Sequence, residues 1–130
     1  MRQGRVHRFL RGRRRVDYWS VPHFLFGTVT ALFTIVFVLP AGSMLLVTAA
    51  LAIFWELLEK RLGLREGEGN SVTDVLLALF SFGITFALID RTDPNPEHHS
   101  ALLIVTVILY LSVNFFAWRA RFDHDREFQG

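Results

Sequence analysis

The sequence predicts an all-α protein, a four-helix transmembrane bundle with both termini cytoplasmic. Three observations predict it. Hydrophobic residues make up 52% of the 130 positions and the mean hydropathy is +0.34, more than a soluble domain of this size needs for its core. The apolar residues are gathered into four blocks without a charge, Phe24 to Leu39, Met44 to Trp55, Val75 to Ile89 and Ala101 to Val113. None of these blocks shows the charged face at a 3.6-residue period that a soluble bundle would carry. Each is shorter than the roughly 20 residues that cross a bilayer unaided, so each must recruit polar or aromatic neighbours. Cysteine is absent, which excludes disulfides, thiolate metal sites and a cysteine nucleophile.

Residues 1–19 form a basic arm carrying Arg2, Arg5, Arg8, Arg11, Arg13, Arg14 and Arg15. The arm is not a signal peptide, because the apolar run behind it is too long and lacks a small-residue cleavage site. One reading makes it a topology signal. Another makes it a grip on anionic lipid head groups, at about 1 kcal/mol per basic residue; nucleic acid is not an expected partner. Tyr18 and Trp19 mark the membrane interface. Ser20 can cap the first helix and Pro22 fits its first turn, where a missing N–H costs nothing. That helix is expected over Val21 to Leu39, stopping at the breakers Leu39-Pro40-Ala41-Gly42-Ser43.

The second helix is expected from Met44 to Leu62, followed by a polar connector over residues 63–70. Ser71-Val72-Thr73-Asp74 reads as a capping box opening a third helix that ends near Ile89. Asp90 to Ser100 reads as a loop in which Pro94 and Pro96 bar helix. The fourth helix is expected over Ala101 to Trp118, and Arg119 to Gly130 as a mixed-charge tail. A transmembrane domain over residues 20–118 thus lies between an arm and a tail of residues 119–130. Lys60, Arg61, Arg65, Arg119, Arg121 and Arg126 fall on the side of the arm, and only Arg91 on the other. Under the positive-inside rule this gives four spans, N-in and C-in, in a bacterial-type inner (plasma) membrane.

Helix rise, about 1.5 Å per residue, sets the depth of the polar residues. Counted from the outer turns, His23 and Glu59 lie roughly 27 Å inward, Glu56 roughly 22 Å, and Asp74 and Asn114 roughly 26 to 30 Å. One layer near the cytoplasmic surface therefore collects His23, Glu56, Glu59, Asn70, Asp74 and Asn114 as a candidate polar pocket. Glu56 and Glu59, three apart, share a helix face. Small residues lead to the layer: Gly27, Thr30, Ala31 and Thr34; Thr48, Ala49 and Ala52; Ala78, Ser81 and Thr85. Such stripes let helices approach closely in lipid, and facing one another they turn the polar groups inward.

Plainer readings stand beside this one. Asp74 as the partner of Ser71 in a cap, Glu59 paired with the basic connector, and His23 as an interfacial residue would each need no ligand. His98, His99 and His124 read as hydrated loop and tail residues. An imidazole with two or three carboxylates is otherwise a ligand set for a divalent cation, with His23, Glu56 and Asp74 as the metal candidates, or a general acid-base pair. There is no His-Glu-x-x-His, no phosphate loop and no Gly-x-Ser-x-Gly, so no reaction class is named.

Pro22-His23-Phe24-Leu25-Phe26-Gly27, Trp55-Glu56-x-x-Glu59, Asn70-Ser71-Val72-Thr73-Asp74 and the small-residue step at Phe82-Gly83 make residues 20 to 90 similar to the VanZ-like and YjdF-like small membrane proteins. In that group a His, a Trp-Glu-x-x-Glu or Glu-x-x-Gln step and an Asp-x-x-x-Asn/Asp stretch before a Gly recur in the same order. Here Gly69-Asn70-Ser71 stands where the family often places a second acid. The resemblance implies a membrane fold and a shared polar site; one branch is associated with glycopeptide resistance. Three functional readings follow. The first is a binding or accessory role in the cell envelope, recognising a lipid or glycolipid head group. The second is a metal-assisted or acid-base enzyme acting on a membrane substrate. The third is a small accessory subunit of a larger membrane complex or a homo-oligomer, with the phenylalanines facing neighbouring proteins.

Overall fold

The computed structural model describes residues 20–62 and 70–127, the side chains of residues 70 and 121–127 excepted. The basic arm with its seven arginines, Tyr18, Trp19, Arg65 and the side chains of Asn70, Arg121, His124 and Arg126 lie outside the described residues. The chain forms four helices, α1 Ser20–Val36, α2 Ala41–Arg61, α3 Asn70–Thr92 and α4 Pro96–Glu127, and no strand among the described residues. By length and composition α2, α3 and α4 are long and apolar enough to cross a membrane. The 17 residues of α1 are apolar but shorter.

The shortest helix is the central one. α1 packs most extensively on α3, then on α4 and α2, and α3 also packs on α2. α2 and α4 do not pack on each other along their lengths. Contacts of Thr28 with Ser81, Thr30 with Thr48 and Phe26 with Tyr110 make α3 parallel to α1, and α2 and α4 antiparallel to it. Apart from Asp74, the fully buried positions are small or hydroxylic, among them Ala31, Ala78, Ser81, Thr34 and Thr48. The bulky residues point out, among them Phe54, Phe80, Ile104, Val105, Phe115 and Phe116. A water-soluble core has the opposite distribution, whereas helices that associate in lipid meet through small side chains.

The α1–α3 seam is the closest. A Cβ on Gly27 would fall onto the Ala78 carbonyl oxygen and lie 3.0 Å from the Phe82 nitrogen, so only glycine allows this approach. The Ser81 hydroxyl donates to the Phe24 carbonyl at 2.5 Å and lies 2.8 Å from the Thr28 hydroxyl. Thr48 of α2 reaches Thr30 at 3.0 Å on the opposite flank of α1. Hydroxyls in these positions join the helices without leaving a polar group in an apolar surround.

The helix ends differ from the sequence expectation. α1 stops at Val36 because the Leu39 N–H returns to the Thr34 carbonyl at 2.9 Å and the Val38 N–H to Ile35 at 3.2 Å. Val38 takes the left-handed position of that turn, φ 52°, where glycine is usual. Gly42 and Ser43, read as breakers, lie inside α2, which starts directly after Pro40. Ser71 does not cap α3, since the helix already includes Asn70. α4 begins at Pro96 and continues to Glu127, so the expected loop is helical from Pro96 onward and the helix runs on past Trp118. Pro96 occupies the first helical position, the one place where proline favours a helix.

The turn over residues 93–95 is built from side chains. Asn95 accepts from the Glu97 N–H at 3.0 Å and caps α4, while Asp93 accepts from the Asn95 N–H at 3.0 Å. His98 Nδ1 lies 3.2 Å from Asp93 Oδ2, and His99 Nε2 lies 2.6 Å from the Asp93 carbonyl oxygen. Both imidazoles, expected to be hydrated, bond within the turn; His98 stays largely exposed, whereas His99 is buried. The Asn95 N–H, and then the His98 hydrogen bond and charge, outweigh desolvation and hold the Asp93 carboxyl below its usual value. A depressed carboxyl stabilises the fold above its unfolded pKa, and that contribution is lost as pH falls through the lowered folded value. We expect the Asp93 carboxyl, followed by NMR in micelles, to titrate below the ordinary aspartate range. A midpoint at or above that range would mean that the turn does not form as described.

Candidate polar site between the helices

His23 stands in the first turn of α1, Glu56 and Glu59 in the last two turns of α2, and Asp74 in the first turns of α3. Because α1 and α3 run up from the end at which α2 finishes, these four positions share one level. All four are buried, with exposures of 6% for His23, 4% for Glu56, 3% for Glu59 and 0% for Asp74. His23 Nε2 lies 3.3 Å from Glu56 Oε1 and 3.9 Å from Asp74 Oδ2, so one imidazole nitrogen faces carboxylates from two helices. Ser20 donates its hydroxyl proton to Asp74 Oδ1 at 2.8 Å. This residue, read from sequence as a helix cap, is a positioning residue of the site.

Glu59 is held from its own helix. The Trp55 indole N–H donates to Glu59 Oε1 at 3.0 Å, a bond that the i, i+4 spacing on one helix face allows. Ligand atoms of His23, Glu56 and Glu59 lie within 4.8 Å of one another. Asp74 does not belong to that group, which departs from the set His23, Glu56 and Asp74 expected as metal candidates. Glu56 and Glu59 lie one turn apart on α2, where Glu56 approaches His23 at 3.3 Å, whereas Asp74 approaches the imidazole from the α3 side at 3.9 Å and is engaged by Ser20.

A cavity of about 260 Å³ adjoins the cluster. It occupies the gap between α2 and α4 with α1 as its floor. Its wall is mostly apolar, from Phe26, Leu51, Phe54, Trp55 and Tyr110, and its polar groups include His23 and Asn114. Asn114 thus lies at the level of the site but on the cavity side, where its amide N–H also donates to the Tyr110 carbonyl at 2.8 Å. Trp55 and Trp118 meet edge to face, with ring centroids 6.2 Å apart, and bridge α2 to α4. Sequence reasoning missed Ser20, Trp55 and Tyr110 as members of this region. Only Trp55, four residues before an acid, carried a local signal.

Chemically, the arrangement places an imidazole among carboxylates in a buried site between helices. It can accept hydrogen bonds from hydroxyl or ammonium groups, pass a proton between His23 and Glu56, or hold a cation. No family model matches this chain, and no curated protein or solved structure matches it either.

Proposed function

We propose that the chain is a small integral membrane protein of the cell envelope that binds the head group of a lipid or glycolipid. In this reading it crosses the inner membrane four times with both termini cytoplasmic, α1 being carried across inside the ring of longer helices. The excess of Lys and Arg on one side supports that orientation. The basic arm would grip anionic lipid, and the likeness to VanZ-like membrane proteins agrees with an envelope role. One observation carries the binding reading: His23 belongs both to the buried carboxylate cluster and to the wall of a largely apolar cavity. An amphiphile has that same division. Its hydrocarbon would lie along Phe26, Leu51 and Tyr110, and its hydroxyl or amine would meet His23 and Glu56.

The test fills the cavity without touching the polar cluster. Leu51→Trp should reduce retention of co-purified lipid, read by native mass spectrometry after detergent exchange, by roughly tenfold, equivalent to about 1.4 kcal/mol. Its thermal melt should stay close to that of the parent chain. Equal lipid retention by both proteins would count against a bound amphiphile. The 3.3 Å approach of His23 to Glu56 favours a second reading, an acid-base enzyme on a membrane substrate, in which the same lipid would be turned over rather than held.

A further inference from the structure

We infer that His23, Glu56 and Glu59 form a three-ligand site for a divalent transition-metal ion of the Zn²⁺ type. The inference goes beyond the lipid-binding reading and does not depend on it. It starts from spacing. The 3.3 Å between His23 Nε2 and Glu56 Oε1 is longer than the usual N–H···O range of about 2.7–3.2 Å. It equals the ligand-to-ligand edge of a tetrahedral site, which is about 3.3 Å when each ligand stands about 2.0–2.1 Å from the ion. The third group, from Glu59, offers a ligand atom within 4.8 Å of the other two, so the ion must draw that carboxylate inward to complete the set.

The donor chemistry narrows the ion. One imidazole nitrogen and two carboxylates, with no thiolate in the chain, suit Zn²⁺ or Mn²⁺. An imidazole in a three-ligand set argues against Ca²⁺ and Mg²⁺, which prefer oxygen throughout. Three protein ligands leave a fourth position, the pattern of zinc sites that bind water or a ligand. The Trp55 indole supplies the outer hydrogen bond that metal-binding carboxylates usually have, at 3.0 Å to Glu59 Oε1. Asp74 stands outside the ligand set. It is engaged by Ser20 and faces the same imidazole nitrogen at 3.9 Å.

The full chain in micelles, stripped with chelator and re-equilibrated with Zn²⁺, should carry about one ion per chain by elemental analysis, as the three-ligand set implies. Its melting temperature should rise with Zn²⁺ and fall again on adding chelator. Glu56→Gln should abolish the ion. Trp55→Phe, which keeps an aromatic ring but removes the indole N–H from Glu59, should weaken Zn²⁺ binding roughly 10- to 100-fold. Asp74→Asn should keep it. Leu51→Trp, which affects only the cavity, should leave ion stoichiometry unchanged, so loss of lipid and loss of ion are read separately. Should Glu56→Gln fail to fold, the chelator-reversible shift of the parent chain and the Trp55→Phe affinity decide. A parent chain that binds neither Zn²⁺ nor Mn²⁺, or a Glu56→Gln chain that binds as well as the parent, would overturn the assignment.

Discussion

Replacing Gly27 by alanine should force α1 away from α3 and cost about 2–3 kcal/mol, at the upper end of what overpacking usually costs. The added methyl would collide with the Ala78 backbone carbonyl and also lie 2.8 Å from its carbon. Neither atom can move without shifting the whole of α3. The damage would spread, because the bonds from Ser20 to Asp74 and from Ser81 to Phe24 cross the same seam. Gly83→Ala is the control. A Cβ there meets nothing within 4 Å, so the change should be neutral or stabilise α3 by up to about 1 kcal/mol through helix propensity. Unfolding in mixed micelles measures both. Similar stabilities for the two variants would mean that the helices do not approach as closely as described.

Asp74→Ala should be the more damaging change at the site, with a loss of about 1–3 kcal/mol, the range for leaving a buried hydrogen-bonding group without its partner. It deprives Ser20 of its acceptor and His23 of one of its two facing carboxylates. Asp74→Asn keeps an oxygen for Ser20 and should lose less. Ser20→Ala removes one hydrogen bond and should cost about 1 kcal/mol, somewhat more because the acceptor is a carboxylate. Since Ser20 and Asp74 act as a unit, the double variant should be less destabilised than the sum of the two single changes. Asp74→Ala as stable as Asp74→Asn would show that the carboxylate contributes nothing to packing of the bundle.

Much of the helix order was readable because apolar blocks and turn residues are local signals. The four helices fall on the four apolar blocks, and the level of His23, Glu56 and Asp74 follows from helix rise alone. Rotation about each axis is another matter. Which carboxylate meets the imidazole most directly depends on how α2 and α3 are turned against α1, and the seam that fixes this turns on Gly27 meeting Ala78, two residues far apart in sequence. Hence Glu59 rather than Asp74 joins His23 and Glu56 in a group whose ligand atoms all lie within 4.8 Å of one another. The helix ends were misread for a related reason. Pro96 marks a break when taken alone, but behind a capping Asn95 it starts a helix. Gly42 resembles a turn residue, yet the turn is already made by Val38 and closed by Pro40. The cavity had no sequence signature at all, since it arises because α2 and α4 do not pack along their lengths and meet through Trp55 and Trp118.

The parallel pairing of α1 with α3 has a consequence for biosynthesis. Every hydrogen bond described across that seam joins residues 53 to 57 positions apart. α1 therefore has no partner for its glycine-bearing flank until α3 has emerged, and α2 must reverse direction in between. A nascent chain ended before residue 70 would hold the imidazole and two glutamates but lack the strut that seats them. Elongation through α3, rather than the making of α1, is the step at which the polar layer comes into being.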